Sequence, residues 1–137
     1  MDFLKGKFSL AVAIGGIFGA LTRFYVGEGV KVIFGKGFEF YGTFFVNVSG
    51  CVLIAYILTV AVENIRIISP EIRLMTTTGF CGAYTTFSTY SLESRDFLEN
   101  GDIAALFFYL VGSAIAGMIG IQIGVILARA SARKSES

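Results

Sequence analysis

The sequence predicts an all-α membrane protein with four transmembrane helices, the third of them broken. Composition is the first reason. Hydrophobic residues make up 55% of the 137-residue chain and charged residues only 15%, too little charge to coat a soluble domain of this size. The second is three apolar runs, each near the roughly 20 residues that cross a hydrocarbon core about 30 Å thick. The third lies between the last two of those runs, where residues 72–92 are less apolar and crowded with Gly, Thr and Ser.

The first span is expected over residues 8–26, FSLAVAIGGIFGALTRFYV. It follows Lys5 and Lys7 as a signal peptide would, yet it continues through glycine-rich, arginine-containing sequence with no clear small-residue cleavage site. It therefore reads as a retained helix. The second span is expected over 41–62 and the fourth over 103–128. Alone, residues 72–92 would read as a loop, but their length and their place between two spans argue that they cross as well. Irregular backbone at membrane depth is tolerated only where protein buries it or where it lines a wet cavity. A broken helix is thus expected, interrupted near Gly82–Thr85 and shielded by its neighbours. Connectors fall at 27–40, 63–71 and 93–102. Residues 1–128 form one domain, and the polar tail 129–137, RASARKSES, is expected to fray.

Charge and residue types exclude several functions. The formal net charge is +1 and histidine is absent, so neither nucleic-acid binding nor a zinc site is indicated. Cys51 and Cys81 both sit in apolar runs and read as small buried thiols rather than a disulfide framework. No cysteine has a histidine base and no metal-ligand cluster is visible, which argues against an enzyme. Lys5, Lys7, Arg66, Arg73, Arg129, Arg133 and Lys134 fall on one side of the predicted topology, and Lys31, Lys36 and Arg95 on the other. That bias favours both termini in the cytoplasm. It is moderate, and insertion in both orientations stays open.

Small residues recur every four positions at Gly15 and Gly19, and at Gly112, Ala116, Gly120 and Gly124. This spacing keeps them on one helix face, where backbones approach closely. Four short helices cannot readily enclose a pore and also use that much small-residue surface, so an oligomer is expected, a two-fold dimer by default. Arg23 continues the Gly15–Gly19 row. Spacing leaves it as either a snorkelling anchor or a cation at a pore mouth. Thr43 and Asn47 share a face of the second span, where the amide either bonds a neighbouring helix or points into a pore. In the fourth span Tyr109 and Ser113 share a row that Gly117 continues. Along the third, Thr85 pairs with Thr89, Thr86 with Tyr90, and Phe87 with Tyr90. Such a lining offers hydroxyls, among them Ser88 and Thr89, together with amides and positive ring edges, but no formal charge before Glu93. Donors of that kind could replace the water around a dehydrated anion.

The strings GTFFVNVSG (42–50) and GFCGAYTTFSTYS (79–91), with Arg23 after a glycine-rich first helix, resemble the Fluc/CrcB family of fluoride channels over nearly the whole chain. The resemblance implies a passive fluoride exporter of the cell membrane, built as an antiparallel dimer with two pores and a central sodium ion. By motif, Asn47 would coordinate fluoride, and Phe87 and Tyr90 would stand at the paired phenylalanine positions whose edges line the path. Thr89, Tyr109 and Ser113 would form a polar track beside them. The carbonyls of Gly82 and Thr85 would hold Na+, and Arg23 and Glu93 would match charged positions near the pore ends. The chain departs from the pattern at Tyr90, where a second phenylalanine is usual, and at Gly117, where a third track hydroxyl is expected. Its Lys/Arg bias also exceeds that of a freely dual-topology homodimer, which admits a heterodimer with a homologue. Two rivals remain. One is a small four-helix proton-coupled multidrug antiporter, which would need a membrane-embedded carboxylate. The other is a non-conducting partner subunit, which would leave the clustered donors of the third span without a use.

Overall fold

A computed structural model describes the backbone of residues 2–63 and 68–133, with the side chains of 2–5 and 133 left aside. Arg66 and Lys134, counted above for orientation, lie outside the described residues. The elements are α1 (Asp2–Phe34), α2 (Glu39–Val62), α3 (Pro70–Leu74), a π-helical segment (Met75–Cys81), α4 (Gly82–Tyr84), α5 (Phe87–Glu99) and α6 (Ile103–Arg133), with no strand among the described residues. Three helices are long and apolar enough to cross a membrane: Gly6–Phe34, Glu39–Val62 and Ile103–Ala132. The stretch from 70 to 99 is not among them, because no single helix in it is long enough.

Local chemistry sets the boundaries, and several differ from expectation. The first helix runs through Gly27 and Gly29 and stops only where Gly35 and Gly37 take φ of 87° and 95°, a left-handed conformation that other residues adopt at a cost. The first connector therefore shrinks to four residues, 35–38, and Lys31 pairs with Glu28 one turn back at 2.6 Å. The third segment starts where Ser69 Oγ accepts the Ile72 N–H at 3.3 Å and Pro70 takes the first turn, a position where its missing N–H costs nothing. Gly101, with φ 73°, ends α5, and Asp102 Oδ1 accepts the Ala105 N–H to open α6. The tail does not begin at 129 as a frayed end, since α6 stays helical to Arg133; residues 134–137 lie outside the described ones.

The helices pack in two parallel pairs. Along α1, Gly15 lies against Met75 and Gly19 against Phe80, so α1 runs alongside the third segment. Along α6, Gly120 meets Val48 and Cys51, and Gly124 meets Val52 and Ala55. The two pairs run oppositely, because Gly42 of α2 sits on Gly27 and Val30 of α1. All four lengths of chain thus alternate in direction, and α2 stands at the centre between α1 and α6. A methyl group built at Gly15, Gly19, Gly79 or Gly124 would land on backbone atoms of the facing helix, so these glycines are spent inside the chain. Gly112, at the start of the α6 row, faces open space instead. Phe18, Phe24, Phe107 and Ile126 lie exposed on the outer surface, an arrangement suited to lipid rather than water.

Candidate functional site

Helical geometry is lost at two consecutive residues. Thr85 (φ −80°, ψ 159°) and Thr86 (φ −149°, ψ 126°) are extended, between the end of α4 and the start of α5. The interruption falls one turn past Gly82, which is itself helical. Side chains meet backbone groups of the two extended residues. Arg23 Nη1 donates to the Thr85 carbonyl at 3.2 Å. The Asn47 amide grips the Thr86 residue at both ends: Nδ2 donates to its carbonyl at 3.0 Å, and Oδ1 accepts its N–H at 2.8 Å. Thr86 Oγ1 then caps α5 by accepting the Thr89 N–H at 3.2 Å and donates to Thr89 Oγ1 at 3.0 Å. Because the Thr86 N–H is taken by Asn47, the Gly82 carbonyl loses the donor that a continued helix would supply.

Two cavities meet at Thr86. One, of about 470 Å³, is lined by Asn47, Cys51, Cys81, Gly82, Thr85, Phe87, Tyr90 and Ser113 among others, and no charged side chain borders it. The other, of about 310 Å³, is lined by Arg23, Glu28, Lys31, Glu39, Thr43, Thr89 and Glu93. Thr86 borders both.

A family model for CrcB-like protein, Camphor Resistance (CrcB), matches residues 10–125. The chain belongs to the CrcB-like family. Among its relatives, one from Trichormus variabilis named fluoride-specific ion channel FluC is 47% identical over 120 residues, 88% of this chain and 87% of the relative. Another of that name from Synechococcus sp. is 43% identical over 119 residues, covering 87% and 90% of the two chains. A FluC 1 from Moorella thermoacetica is 37% identical over 120 residues, covering 88% and 84%. With its apolar helices, this CrcB-like chain is a multi-pass membrane protein.

The structure divides the expected site residues into two groups. Asn47, Thr85, Phe87, Tyr90, Ser113 and Gly82 border the uncharged cavity. Phe87 is 79% exposed there, 6.0 Å from the Tyr90 ring. The Tyr90 hydroxyl donates to the Leu110 carbonyl of α6 at 3.3 Å, and its ring lies 5.0 Å from Tyr109. Ser113 Oγ is buried without a hydrogen-bond partner, so it does not bond back to its own helix as a lone membrane serine commonly does. Ser88 Oγ lies 3.2 Å from Thr86 Oγ1.

Thr43 and Tyr109 go elsewhere. Both donate to Glu93, at 2.8 Å and 2.6 Å, one to each carboxylate oxygen. Their hydroxyl protons serve a carboxylate fixed within the fold. Sequence reasoning left Glu93 at the margin of the CrcB-like site, whereas the fold makes it the hub joining α2, α5 and α6. An acid directly after a row of hydroxyls, facing Thr43 and Tyr109 on the neighbouring spans, was the available signal. Ser49 was also missed. Its hydroxyl lies 2.9 Å from that of the buried Tyr84 and ties α2 to α4.

Proposed function

We propose that the protein is a passive fluoride-selective channel of the cell membrane that lets fluoride leave the cytoplasm. The observation that carries this reading is the cavity of about 470 Å³ beside the break, lined by Asn47, Thr86, Phe87, Tyr90 and Ser113 and by no charged side chain. Neutral N–H and O–H donors and positive ring edges suit a small hard anion that must shed water. The relatives named fluoride-specific ion channels support the choice of ion. They also support a transport role over an enzymatic one.

In this reading residues 1–128 form one transmembrane domain, in which 70–99 cross as a single broken helix and the remaining tail is an appendage. Asn47, Phe87, Tyr90, Ser88, Thr89 and Ser113 face the anion, Thr43 and Tyr109 continue the path through Glu93, and Arg23 stands at its charged end. Phe87 in the cavity's lining is largely exposed, and polar atoms facing hydrocarbon are costly. A second copy, or a homologue, inserted antiparallel would cover it and give two paths. A sodium ion at the centre of that dimer would fit the residues present. The Gly82 carbonyl has lost its helical donor to Asn47, and the Thr85 carbonyl keeps one lone pair beyond the one Arg23 takes. Bound there, Na+ would satisfy freed carbonyls.

The half-buried Glu93 carboxylate supplies the one feature a proton-coupled antiporter would require. Fluoride efflux from liposomes holding the purified protein, with no pH gradient, separates the readings. Efflux is expected. Its absence, both alone and with a co-expressed homologue, would remove the channel reading, and proton-driven uptake of a cationic dye would replace it.

A further inference from the structure

The two residues of the break would be costly to keep in a membrane without help. Two backbone groups there, the Thr85 carbonyl and the Thr86 N–H, have no place in the ladder of either flanking helix. In hydrocarbon each unmet group costs several kcal/mol. Two side chains from two different helices meet both, and Asn47 also donates to the Thr86 carbonyl.

The way Arg23 reaches its target is set by register. Along α1 the contacts advance by four residues, from Gly15 to Gly19 to Arg23. Along the third segment, Gly15 faces both Met75 and Phe80, Gly19 faces Phe80, and Arg23 reaches Thr85. A π-helix closes its hydrogen bonds from i to i+5, and the segment Met75–Cys81 is π-helical. That segment packs on the glycine face of α1, and Arg23, one turn further along the same face, reaches the break.

We propose that Arg23 is a positioning residue: it fixes the conformation of the break by holding the Thr85 carbonyl, in concert with Asn47 on Thr86, rather than acting as a free charge that gathers anions. Its guanidinium, always charged and rigid, suits a carbonyl left without a helical donor. The role rests on the channel reading only for the flux assay below.

The two roles predict different behaviour for Arg23→Gln and Arg23→Ala. A gathering charge is screened by salt, the Debye length falling from about 10 Å at 0.1 M to about 3 Å at 1 M, so its loss would matter less at high salt. Loss of the clamp lowers fluoride flux by about tenfold or more, the scale of one charge-assisted hydrogen bond, and by the same factor at low and high salt. Methylguanidinium added to Arg23→Ala vesicles restores part of the flux, which a general packing defect would not allow. In hydrogen–deuterium exchange on the purified protein, the Thr86 and Thr89 amides exchange faster in Arg23→Gln while those of α6 do not. A flux deficit that vanishes at molar salt, or unchanged exchange at Thr86 and Thr89, overturns the proposal. If the wild-type vesicles carry no fluoride, the exchange measurement still decides the clamp, so the two readings fail separately.

Discussion

Asn47 is the residue on which most turns. Its amide has a carbonyl partner and an N–H partner on one residue, Thr86, and one N–H remains for whatever occupies the cavity. Asn47→Asp keeps the size but exchanges a donor for a negative charge, so it both repels an anion and faces the Thr86 carbonyl with like polarity. Fluoride flux in liposomes is expected to fall below detection; normal flux would take Asn47 out of the path. Phe87→Ile keeps bulk and removes the ring edge, and normal conduction by that variant would discard the aromatic-edge mechanism. Tyr90→Phe should behave differently from both. It removes only a long hydrogen bond to Leu110, so flux persists and stability drops by no more than about 1 kcal/mol, read from denaturation in detergent. Sequence made Arg23 partly legible, because its place on the Gly15–Gly19 face follows from spacing alone. Its partner was not legible: a carbonyl becomes a target only when the helix that owns it breaks, and the position of the break depends on tertiary packing.

Among the elements, the glycines separate into those that press backbones together and those that merely tolerate the helix. A side chain at Gly19 or Gly124 would meet backbone of the facing helix, where nothing can swing aside. Gly19→Ala and Gly124→Ala should each cost about 1–3 kcal/mol, seen as lower melting temperatures in detergent. Gly29 faces open space, and Gly29→Ala should stabilise α1 by about 1 kcal/mol through helix propensity. The three apolar spans were legible because length and hydropathy suffice for them. The extent of α1 was not. Gly27 and Gly29 look like the start of a loop in the sequence, yet helix tolerates both, and only the positive φ at Gly35 and Gly37 stops it. The π-helical stretch left no mark that composition or periodicity could reveal.

For the whole molecule, the alternating direction of four lengths of chain places the start of α1 and the end of α6 at one end. At that end Arg129 binds Glu63 through two nitrogens, at 2.6 Å and 3.0 Å. Arg129 holds the exposed Glu63 carboxyl below its ordinary value of 4.5. A carboxylate so depressed stabilises the fold above that value and stops doing so as pH falls through its lowered one. Exposed pairs contribute little, so Glu63→Gln is expected to leave flux unchanged at neutral pH and to flatten slightly the acid side of the melting profile. The oligomer is the part least legible from sequence. Glycine rows suggested it, but most of those glycines pack inside the chain, and the better argument is the uncharged cavity beside the break, where Phe87 stays exposed.

Arg23 from α1 and Asn47 from α2 close on two adjacent residues, Thr85 and Thr86, like two pins that fit one notch at a single mark. What such a device measures is count. Between Met75 and Thr85 one apolar residue can replace another without moving the mark, but a chain longer or shorter by one residue would keep its greasy surfaces and lose the coincidence. Insertions and deletions should therefore be accepted in the tight turns at 35–38 and 100–102 and rejected in this stretch, where the number of residues matters as much as the glycine at 79.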